Sequence, residues 1–343
     1  MQVRLKDVAR ASGVSVGTAS RILNDADYRI APDTRDRVRQ AAEELGYVTN
    51  AAARSLRTNR TRLIAAVTDS IVTTSYAHQI IHGIQSVTAH SGYLPVILST
   101  GDDPKERSRA IDMIRGHQVE GVLLAAMYHR PLAASDLPPH LPVIGLNGVL
   151  DSDNAMSFVP DDHGGAYAAT RLLLEAGHQR IMHLSEEPTD GLARGLRIAG
   201  FQQAMTEAGL SGTIVQTPHH PDQTRSGSVE AHALSFLTSP ERPTAIFAFN
   251  DLMALGIFRA AHHLGLRIPE DLSVVGFDNL EFVAQEVAPG LTTVQLPHEE
   301  LGRRAAHALL GRLGDNDDWS ENPGVYRVDC PLVIRDSVAP PPA

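Results

Sequence analysis

Clusters of histidine and aspartate are the first places where this sequence could carry out chemistry. Asp161–His163 and His219–Asp222 contain groups that bind metals, and His262–His263 is a third cluster. Two metal ligands on one helix face need a spacing of i, i+4, and none of these clusters has it. The sequence also lacks the G-x-S-x-G nucleophile elbow, the P-loop and a strand-linked G-x-G-x-x-G. We therefore predict no enzymatic activity, no metal site and no cofactor.

A second set of polar residues could bind a ligand without reacting with it. Each member follows a short apolar run of the kind that forms a strand, and each carries a short carboxylate, amide or hydroxyl. The set comprises Asp69, Ser70, Asn147, Asp161, Asn250, Asp251, Asp278 and Asn279. Arg197 would join them from the start of a helix. A guanidinium, carboxylates and amides hydrogen-bond sugar hydroxyls, and a missing hydroxyl would leave one of them unpaired.

The elements that would position these side chains alternate between strand and helix. The runs predicted as strands are Leu63–Val67, Leu94–Leu98, Val119–Ala125, Val143–Leu146, Ile181–Leu184, Ala245–Phe249 and Ser273–Phe277. The amphipathic runs predicted as helices are Ile80–Val87, Tyr167–Ala176, Phe201–Ala208 and Asp251–Leu264. This alternation predicts parallel sheets covered on both faces, and such sheets bind ligands beyond the carboxyl ends of their strands. The stretch after Arg60 is too long for one sheet with one core, so we expect two lobes.

Length and composition limit the class of protein. The chain has 343 residues, of which 43% are hydrophobic and 20% charged, which is enough for a large core and too long for one ordinary domain. The single cysteine, Cys330, excludes a disulfide framework and fits a reducing compartment. No apolar run is long enough to span a membrane, and the first residues lack the apolar segment of an export signal. A cytoplasmic protein without a membrane partner is therefore predicted.

The charge of the chain is unevenly distributed. Residues 1–60 contain eleven Lys and Arg side chains against seven Asp and Glu, a net charge of +4, whereas the whole chain carries −10. The remaining residues therefore carry −14. A basic head on an acidic body favours a head that binds a polyanion, although charge alone is equally compatible with an ordinary solvated helical surface.

Three short helices are predicted in this basic head. Gly13 would end the first, since glycine readily adopts the left-handed conformation of a helix C-terminus. Ser15 would cap a second helix over Val16–Leu23, and Pro32 fits the first turn of a third. The core stripe of the third helix would comprise Val38, Ala41, Ala42 and Leu45. Two helices joined by a short glycine-containing turn form a helix-turn-helix, which places its second helix in the major groove of DNA.

Several segments match the motifs of one known family. They read LKDVARASGVSVGTASRILN at 5–24, TR at 34–35, ELGY at 44–47, NAAARSL at 50–56, RIAGF at 197–201, FNDLMALG at 249–256 and VGFDN at 275–279. On these segments the chain resembles the lactose-repressor/galactose-repressor (LacI/GalR) family of bacterial transcription regulators over essentially its whole length. Two positions depart from the pattern: Arg4 stands where a threonine cap is usual, and Thr49 stands where proline is common.

The resemblance implies an all-α helix-turn-helix head and an α/β body of two periplasmic-binding-protein-like lobes with parallel sheets. The implied boundaries are a head at 1–47, a hinge helix and linker at 48–60, an N-terminal lobe at 61–160 plus 292–322, a C-terminal lobe at 161–291 plus 323–338, and a tail at 339–343. Three crossovers would join the lobes. They are expected near Val159–Asp162, Leu291–Val294 and Glu321–Tyr326.

The resemblance also implies palindromic operator DNA as a partner. Val16, Gly17 and Arg21 would face base edges, where an arginine pairs with guanine O6 and N7. Ala53 and Leu56 of the hinge helix would enter the minor groove, where an apolar wedge kinks DNA. The remaining DNA-contacting candidates are Ser15, Thr18, Ser20, Asn24, Arg29, Thr34, Asn50 and Arg57. Alternatives are capping and solvation for Ser15 and Ser20, a surface charge for Arg21, and packing against the body for Leu56.

By the same resemblance, a small-molecule effector would bind between the lobes. The candidate contacts are Asp69, Ser70, Tyr128, Asn147, Arg197, Asn250 and Asp278. Asn250 matches sugar-responsive members, whereas the purine-responsive branch has a glycine there. Leu296 replaces a glutamine of the lactose type. Asp251 is expected to cap its helix rather than contact the ligand.

We therefore expect a ligand-regulated repressor of a carbohydrate-utilisation operon. It would act as a homodimer that pairs near Tyr76–Gln85 and Leu255–Ala261. The alternatives are a sugar-binding protein of a transport system, a sugar-modifying enzyme, and a regulator that responds to a non-sugar molecule. The missing export signal argues against the first of these, and the missing catalytic motifs argue against the second.

Overall fold

The structure is a computed structural model, and the chain divides into two compact units. It describes residues 3–23, 30–48, 50–69, 76–101, 103–152, 154–187, 191–218, 224–314 and 322–342. One unit contains the residues up to Leu63 together with His117–Glu120, and the other contains the remainder. None of the helices in these ranges combines the length and the apolar character that a bilayer-spanning helix requires.

Among its described residues the first unit contains four helices, and three of them share a small apolar core. The helices are α1 (Leu5–Ser12), α2 (Val16–Leu23), α3 (Pro32–Glu44) and α4 (Ala51–Thr58). The buried core residues are Val8, Ala9, Ala19, Ile22, Val38, Ala41 and Ala42. Leu45 was predicted for this core and is instead 38% exposed, because α3 ends one residue earlier and Leu45 belongs to its C-terminal turn.

The turns of the head follow the predicted capping. Gly13 has a φ of 69°, which ends α1 in the left-handed conformation. The Ser15 hydroxyl accepts a hydrogen bond from the Thr18 backbone N–H at 3.1 Å and so caps α2. The Asp7 carboxylate accepts the Arg4 N–H at 3.0 Å, which compensates for the missing threonine cap at the start of α1.

The second unit, the body, is built on two six-stranded sheets. The first sheet has the order β13-β7-β5-β3-β1-β2 and the second has the order β14-β12-β11-β10-β8-β9. The strands of the first sheet are β1 (Leu63–Thr68), β2 (Leu94–Ser99), β3 (Gly121–Ala125), β5 (Val143–Leu146), β7 (Met156–Pro160) and β13 (Gly324–Val328). The strands of the second sheet are β8 (Ile181–Glu186), β9 (Thr213–Thr217), β10 (Ala245–Ala248), β11 (Ser273–Asp278), β12 (Thr292–Gln295) and β14 (Leu332–Val333). A small parallel pair, β4 (Pro131–Leu132) and β6 (Val149–Leu150), lies beside them.

Helices cover these sheets, as the strand–helix alternation predicted. They are α5 (Ala77–Ser91), α6 (Pro104–Gly116), α7 (Asp162–Glu175), α8 (Leu192–Glu207), α9 (Arg225–Leu237), α10 (Asp251–His263), α11 (Glu281–Ala284) and α12 (His298–Arg312). Helices α5 and α12 share a core with the first sheet, whereas α7 to α10 pack on the second. We call the first sheet with its helices the first lobe, and the second sheet with its helices the second lobe.

Two of the three predicted crossovers are wrong by a few residues. The chain leaves the first sheet after Pro160, as expected. Strand β12, however, pairs in parallel with β11 in the second sheet, so the second crossing falls after Gln295. Strand β13 pairs in parallel with β7 in the first sheet, so the third crossing falls after Val328. The local sequence pattern does not say which sheet a segment joins.

Helices α5 and α12 approach each other very closely at two glycines. A Cβ atom on Gly83 would lie 2.1 Å from the Glu299 carbonyl oxygen, and one on Gly302 would lie 2.4 Å from the Ile80 carbonyl oxygen. Only glycine fits at such a distance. The contact fixes the starts of these two helices beside each other, where Tyr76 and His298 meet with ring centroids 5.1 Å apart.

Candidate functional site

A cavity of about 230 Å³ lies between the two lobes, where the strands of both sheets end. The first lobe contributes Tyr76, Met127, Tyr128, His129, Asn147 and His298 to its lining. The second lobe contributes Asp162, Arg197, Arg225, Phe249, Asn250, Leu252, Asp278, Leu280, Phe282 and Leu296. Five of the seven predicted effector contacts therefore come together here: Tyr128, Asn147, Arg197, Asn250 and Asp278.

Arg197 is the most constrained side chain of the cavity. It is 4% exposed, and its Nε donates to Asp162 Oδ1 at 2.8 Å. Its Nη1 donates to the Phe249 carbonyl oxygen and lies 3.6 Å from Asp278 Oδ1. The guanidinium also stacks over the Phe277 ring, 3.6 Å from the centroid. These contacts hold Arg197 in place without any bound molecule.

Asp162 joins the two lobes through a buried hydrogen bond with His129. Its second oxygen is 2.9 Å from His129 Nδ1, and the Leu192 backbone N–H donates to the His129 carbonyl oxygen at 2.6 Å. Burial would raise the pKa of Asp162, but Arg197 and His129 outweigh burial and lower it. Because an ionised carboxylate only accepts hydrogen bonds, the proton lies on His129 Nδ1.

Asp278 is presented to the cavity by a strained turn. Its φ is 108°, and Asn279 follows with a φ of 53°, both in the left-handed region that non-glycine residues seldom adopt. The Tyr76 hydroxyl donates to Asp278 Oδ2 at 2.7 Å. Burial raises the pKa of Asp278 to about 6, although Arg197 and the Tyr76 hydrogen bond act in the opposite direction.

Hydrogen bonds on both sides hold the strained backbone at Asp278 and Asn279. Asp251 accepts the Leu280 backbone N–H at 2.7 Å and the Thr293 hydroxyl at 2.6 Å. Arg335 Nη2 donates to Asn279 Oδ1 at 2.7 Å. Two buried hydrogen-bonded anchors therefore hold the turn that carries the Asp278 carboxylate.

The predicted cap of α10 is corrected by one residue. Asn250, rather than Asp251, accepts the Met253 backbone N–H, at 2.9 Å. Asp251 is fully buried inside the first turn and holds the neighbouring loop instead. Burial and the nearby Asp278 charge raise the pKa of Asp251 to about 8.

Some candidates lie elsewhere. Asp69 lines a different cavity within the first lobe, where it accepts the Met127 N–H at 3.0 Å and pairs with Arg130 at 3.0 Å. Asp161 caps α7 by accepting the Gly164 N–H at 3.0 Å. Phe158 is buried in the core of the first lobe. Ser70 and the cluster His219–Asp222 lie outside the described residues, as do Asn24 and Arg29 of the head and the Arg57 side chain.

Sequence reasoning missed several side chains of the cavity, among them Tyr76, His129, Asp162 and His298. Asp162 was considered only as a metal ligand, and the described residues contain no group of three or more potential metal ligands. Tyr76 and His298 each lie at the start of a helix that packs across the first sheet. Asp278 can be found from the sequence because it lies at the end of a predicted strand. The local pattern around Tyr76 and His298 does not indicate that these helix starts face a cleft.

The head presents a second candidate surface. Val16 is 49% exposed, and Gly17 and Arg21 are also exposed, so the outer face of α2 is open to a partner. Arg21 Nε donates to the Gly17 carbonyl oxygen at 3.3 Å. Ser15 and Thr18 hydrogen-bond each other at 2.8 Å, whereas Ser20 and Thr34 are partly buried. This face has the polar and cationic character of a recognition helix.

Helix α4 has the cap and the exposed side chain that the hinge role requires. Asn50 Oδ1 accepts the Ala53 N–H at 3.3 Å, and Leu56 is 89% exposed. Leu56 therefore lies outside the apolar core of the head. Arg60, which follows this helix, pairs with Glu120 at 3.1 Å.

Comparison with known proteins connects both surfaces to one family. Residues 4–50 match the bacterial regulatory proteins of the lacI family, and residues 170–338 match the periplasmic binding protein-like domain. The HTH-type transcriptional repressor PurR of Vibrio atlanticus (strain LGP32) is 34% identical over 97% of this chain and 98% of its own length. The chain belongs to the LacI family. PurR of Haemophilus influenzae (strain PittEE) is likewise 34% identical over 97% of the chain and 98% of its own length.

Solved structures of LacI-family regulators are similar to almost the whole of this chain. The Lac repressor dimer bound to operator and the anti-inducer ONPF is 26% identical, with a TM-score of 0.78 over 99% of this chain and 100% of that one. The CelR–cellobiose complex is 28% identical, with a TM-score of 0.66 over 98% and 100%. This LacI-family protein is a DNA-binding, ligand-regulated transcriptional repressor, with the predicted helix-turn-helix head and two-lobed α/β body.

Proposed function

We propose that the regulating ligand is a carbohydrate, bound in the interlobe cavity, and that the protein represses a carbohydrate-utilisation operon. The observation that carries this proposal is the Asp278 carboxylate, held in the cavity by a strained turn and flanked by Arg197. Asn250 adds an amide nitrogen for which the described residues provide no hydrogen-bond partner. Carboxylate and amide groups that converge in a buried site discriminate between sugars by their hydroxyls.

Aromatic rings complete the proposed sugar site. Tyr128 is 49% exposed and Phe282 is 58% exposed, so both offer ring faces at the cavity. Such rings cover the apolar face of a sugar while polar groups bind its edge. The CelR relative was solved with cellobiose, which supports the same ligand class here.

The proposed DNA contacts are the exposed residues of α2 and α4. Arg21 would read a guanine, Val16 would contact a thymine methyl group, and Leu56 would enter the minor groove. Two heads of a cytoplasmic homodimer would occupy the two halves of a palindromic operator. Effector binding would change the closure of the lobes and thereby how the hinge helices of the dimer meet. A switch from 99:1 to 1:99 occupancy needs roughly 5.5 kcal/mol of differential affinity.

A thermal-shift screen of the full chain tests the ligand class. Monosaccharides, disaccharides and sugar phosphates form one set, and purine bases and nucleosides form the other. A ligand at 100 times its Kd stabilises the native state by about 2.7 kcal/mol. We expect a sugar to raise the melting temperature and to change operator binding. A response to purines alone would contradict the carbohydrate assignment.

A further inference from the structure

Two histidines of the body are equally buried and differ in their partners. His178 is 1% exposed, and its ring nitrogens are hydrogen-bonded to Thr244 Oγ1 at 2.9 Å, Ser273 Oγ at 3.1 Å and the Ala339 carbonyl oxygen at 2.9 Å. His298 is 2% exposed, and no described residue forms a hydrogen bond with either of its ring nitrogens. Burying a polar group without a partner costs stability, so such a group calls for an explanation.

The position of His298 supplies that explanation. It is the first residue of α12, and its ring lines the interlobe cavity. The Tyr76 ring packs beside it at an interplanar angle of 52°, and Tyr76 is itself fixed by its hydrogen bond to Asp278. The close approach of α5 and α12 at Gly83 keeps the two rings together. The imidazole is therefore held in a defined orientation at the ligand cavity, and none of the described residues hydrogen-bonds its ring nitrogens.

The charge state of His298 limits what it can bind. Burial lowers its pKa to about 4, and Arg197 and His78 lower it further, whereas Asp162 acts in the opposite direction. The ring is consequently neutral near pH 7, with one N–H donor and one lone pair. A hydroxyl group can satisfy either nitrogen, whereas a carboxylate or a phosphate can only accept from the N–H.

We propose that His298 binds the effector directly, through a hydrogen bond between its neutral imidazole and a hydroxyl group. His298 would then be a specificity-determining residue that favours an uncharged polyol over an apolar compound. This inference rests on the proposed carbohydrate function and adds a contact that the sequence pattern did not reveal.

Urea unfolding of the full chain without added sugar gives the first test. We compare His298→Phe with His178→Phe, because the two positions match in residue type and burial. His178→Phe removes a ring with three partners and should lower the unfolding midpoint clearly. His298→Phe removes a ring that no described residue hydrogen-bonds and keeps an aromatic ring beside Tyr76, so its midpoint should equal or exceed that of the wild type. A loss as large as that of His178→Phe would show a structural role and overturn the proposal.

Sugar binding gives the second test, with D-galactose, D-xylose, cellobiose and lactose as probes. For the sugar that most raises the wild-type melting temperature, His298→Phe should increase Kd at least tenfold. His298→Asn, which keeps a donor and an acceptor, should recover part of the loss. An unchanged Kd in His298→Phe overturns the role of His298. A wild type that ignores every sugar and responds to a purine base instead overturns the carbohydrate function on which this inference rests.

Discussion

At the scale of the single residue, Arg197 has a structural role that its sequence motif does not reveal. Its guanidinium neutralises Asp162, a carboxylate that is fully buried. Removing one partner of a buried pair leaves an uncompensated charge. Arg197→Ala should therefore lower the free energy of unfolding by about 3–5 kcal/mol, as measured by urea denaturation. A lost effector response in this variant would not by itself prove ligand contact.

A control for this prediction is the pair of Arg130 and Asp69, which is partly exposed to solvent. The Arg130 side chain is 38% exposed, so solvent screens the pair. Arg130→Ala should cost about 1 kcal/mol or less. Equal losses in the two variants would contradict the importance of burial for Arg197.

The raised pKa of Asp251 predicts that the stability of the protein depends on pH. Its pKa is raised to about 8 by burial and by Asp278, so the folded protein holds a proton that the unfolded chain releases near its ordinary, lower pKa. The native state therefore binds more protons between these values, and stability falls as pH rises. The free energy of unfolding should decrease by about 1 kcal/mol per pH unit between pH 6 and 8 from this group.

Asp251→Asn isolates the contribution of that carboxyl. The amide cannot ionise, and the Thr293 hydroxyl can rotate to accept from it. As pH rises, the difference in unfolding free energy between wild type and variant should shift in favour of the variant. A pH-independent difference between the two would show that Asp251 titrates at its ordinary value.

Helix α4 gives a prediction at the scale of an element. Leu56 is 89% exposed on this helix, so Leu56→Ala should change the free energy of unfolding by no more than about 0.5 kcal/mol. Specific DNA affinity and the DNA bend angle should both fall, because the proposed wedge is lost. The salt dependence of binding should stay unchanged, since no charge is removed. Loss of affinity at a constant bend angle would contradict the wedge.

A substitution in helix α2 should change the sequence preference of DNA binding instead. Arg21 lies on its exposed face, so Arg21→Ala should cost about 1–3 kcal/mol on the operator and relax the preference at one base pair. Binding titrations against operators with a substitution at each position would locate that base pair. An equal loss on every sequence would assign Arg21 to a phosphate instead.

The sequence predicts elements better than it predicts their partners. Each run predicted as a strand, such as Leu94–Leu98, contributes to a strand of the body. Strands β12 and β13 were assigned to the wrong lobes because pairing depends on distant residues rather than on local pattern. The same limit applies to the cavity. Asp278 is visible as a polar residue at a strand end, whereas the contact of His129 with Asp162 of the other lobe depends on tertiary structure.

The described end of the chain bears on assembly of the whole molecule. The Ser337 carbonyl oxygen accepts the Val274 N–H, and the Ala339 N–H donates to Ser273, so this segment is bonded to β11. Residues 337–339 are therefore held against the second sheet. We expect light scattering at micromolar concentration to give twice the 37.0 kDa of the chain. A tetrameric mass would contradict this expectation.

The pairing of β7 with β13 has a consequence for biosynthesis. Met156 lies opposite Gly324, so the first lobe cannot complete its sheet until the ribosome has also made most of the second lobe. At about 5–20 residues per second, the edge of β7 waits roughly 10–30 s for its neighbour. The helical head has a core made entirely of its own residues and can fold during that interval. A nascent chain would thus carry a folded DNA-binding head before it has a body able to respond to a ligand.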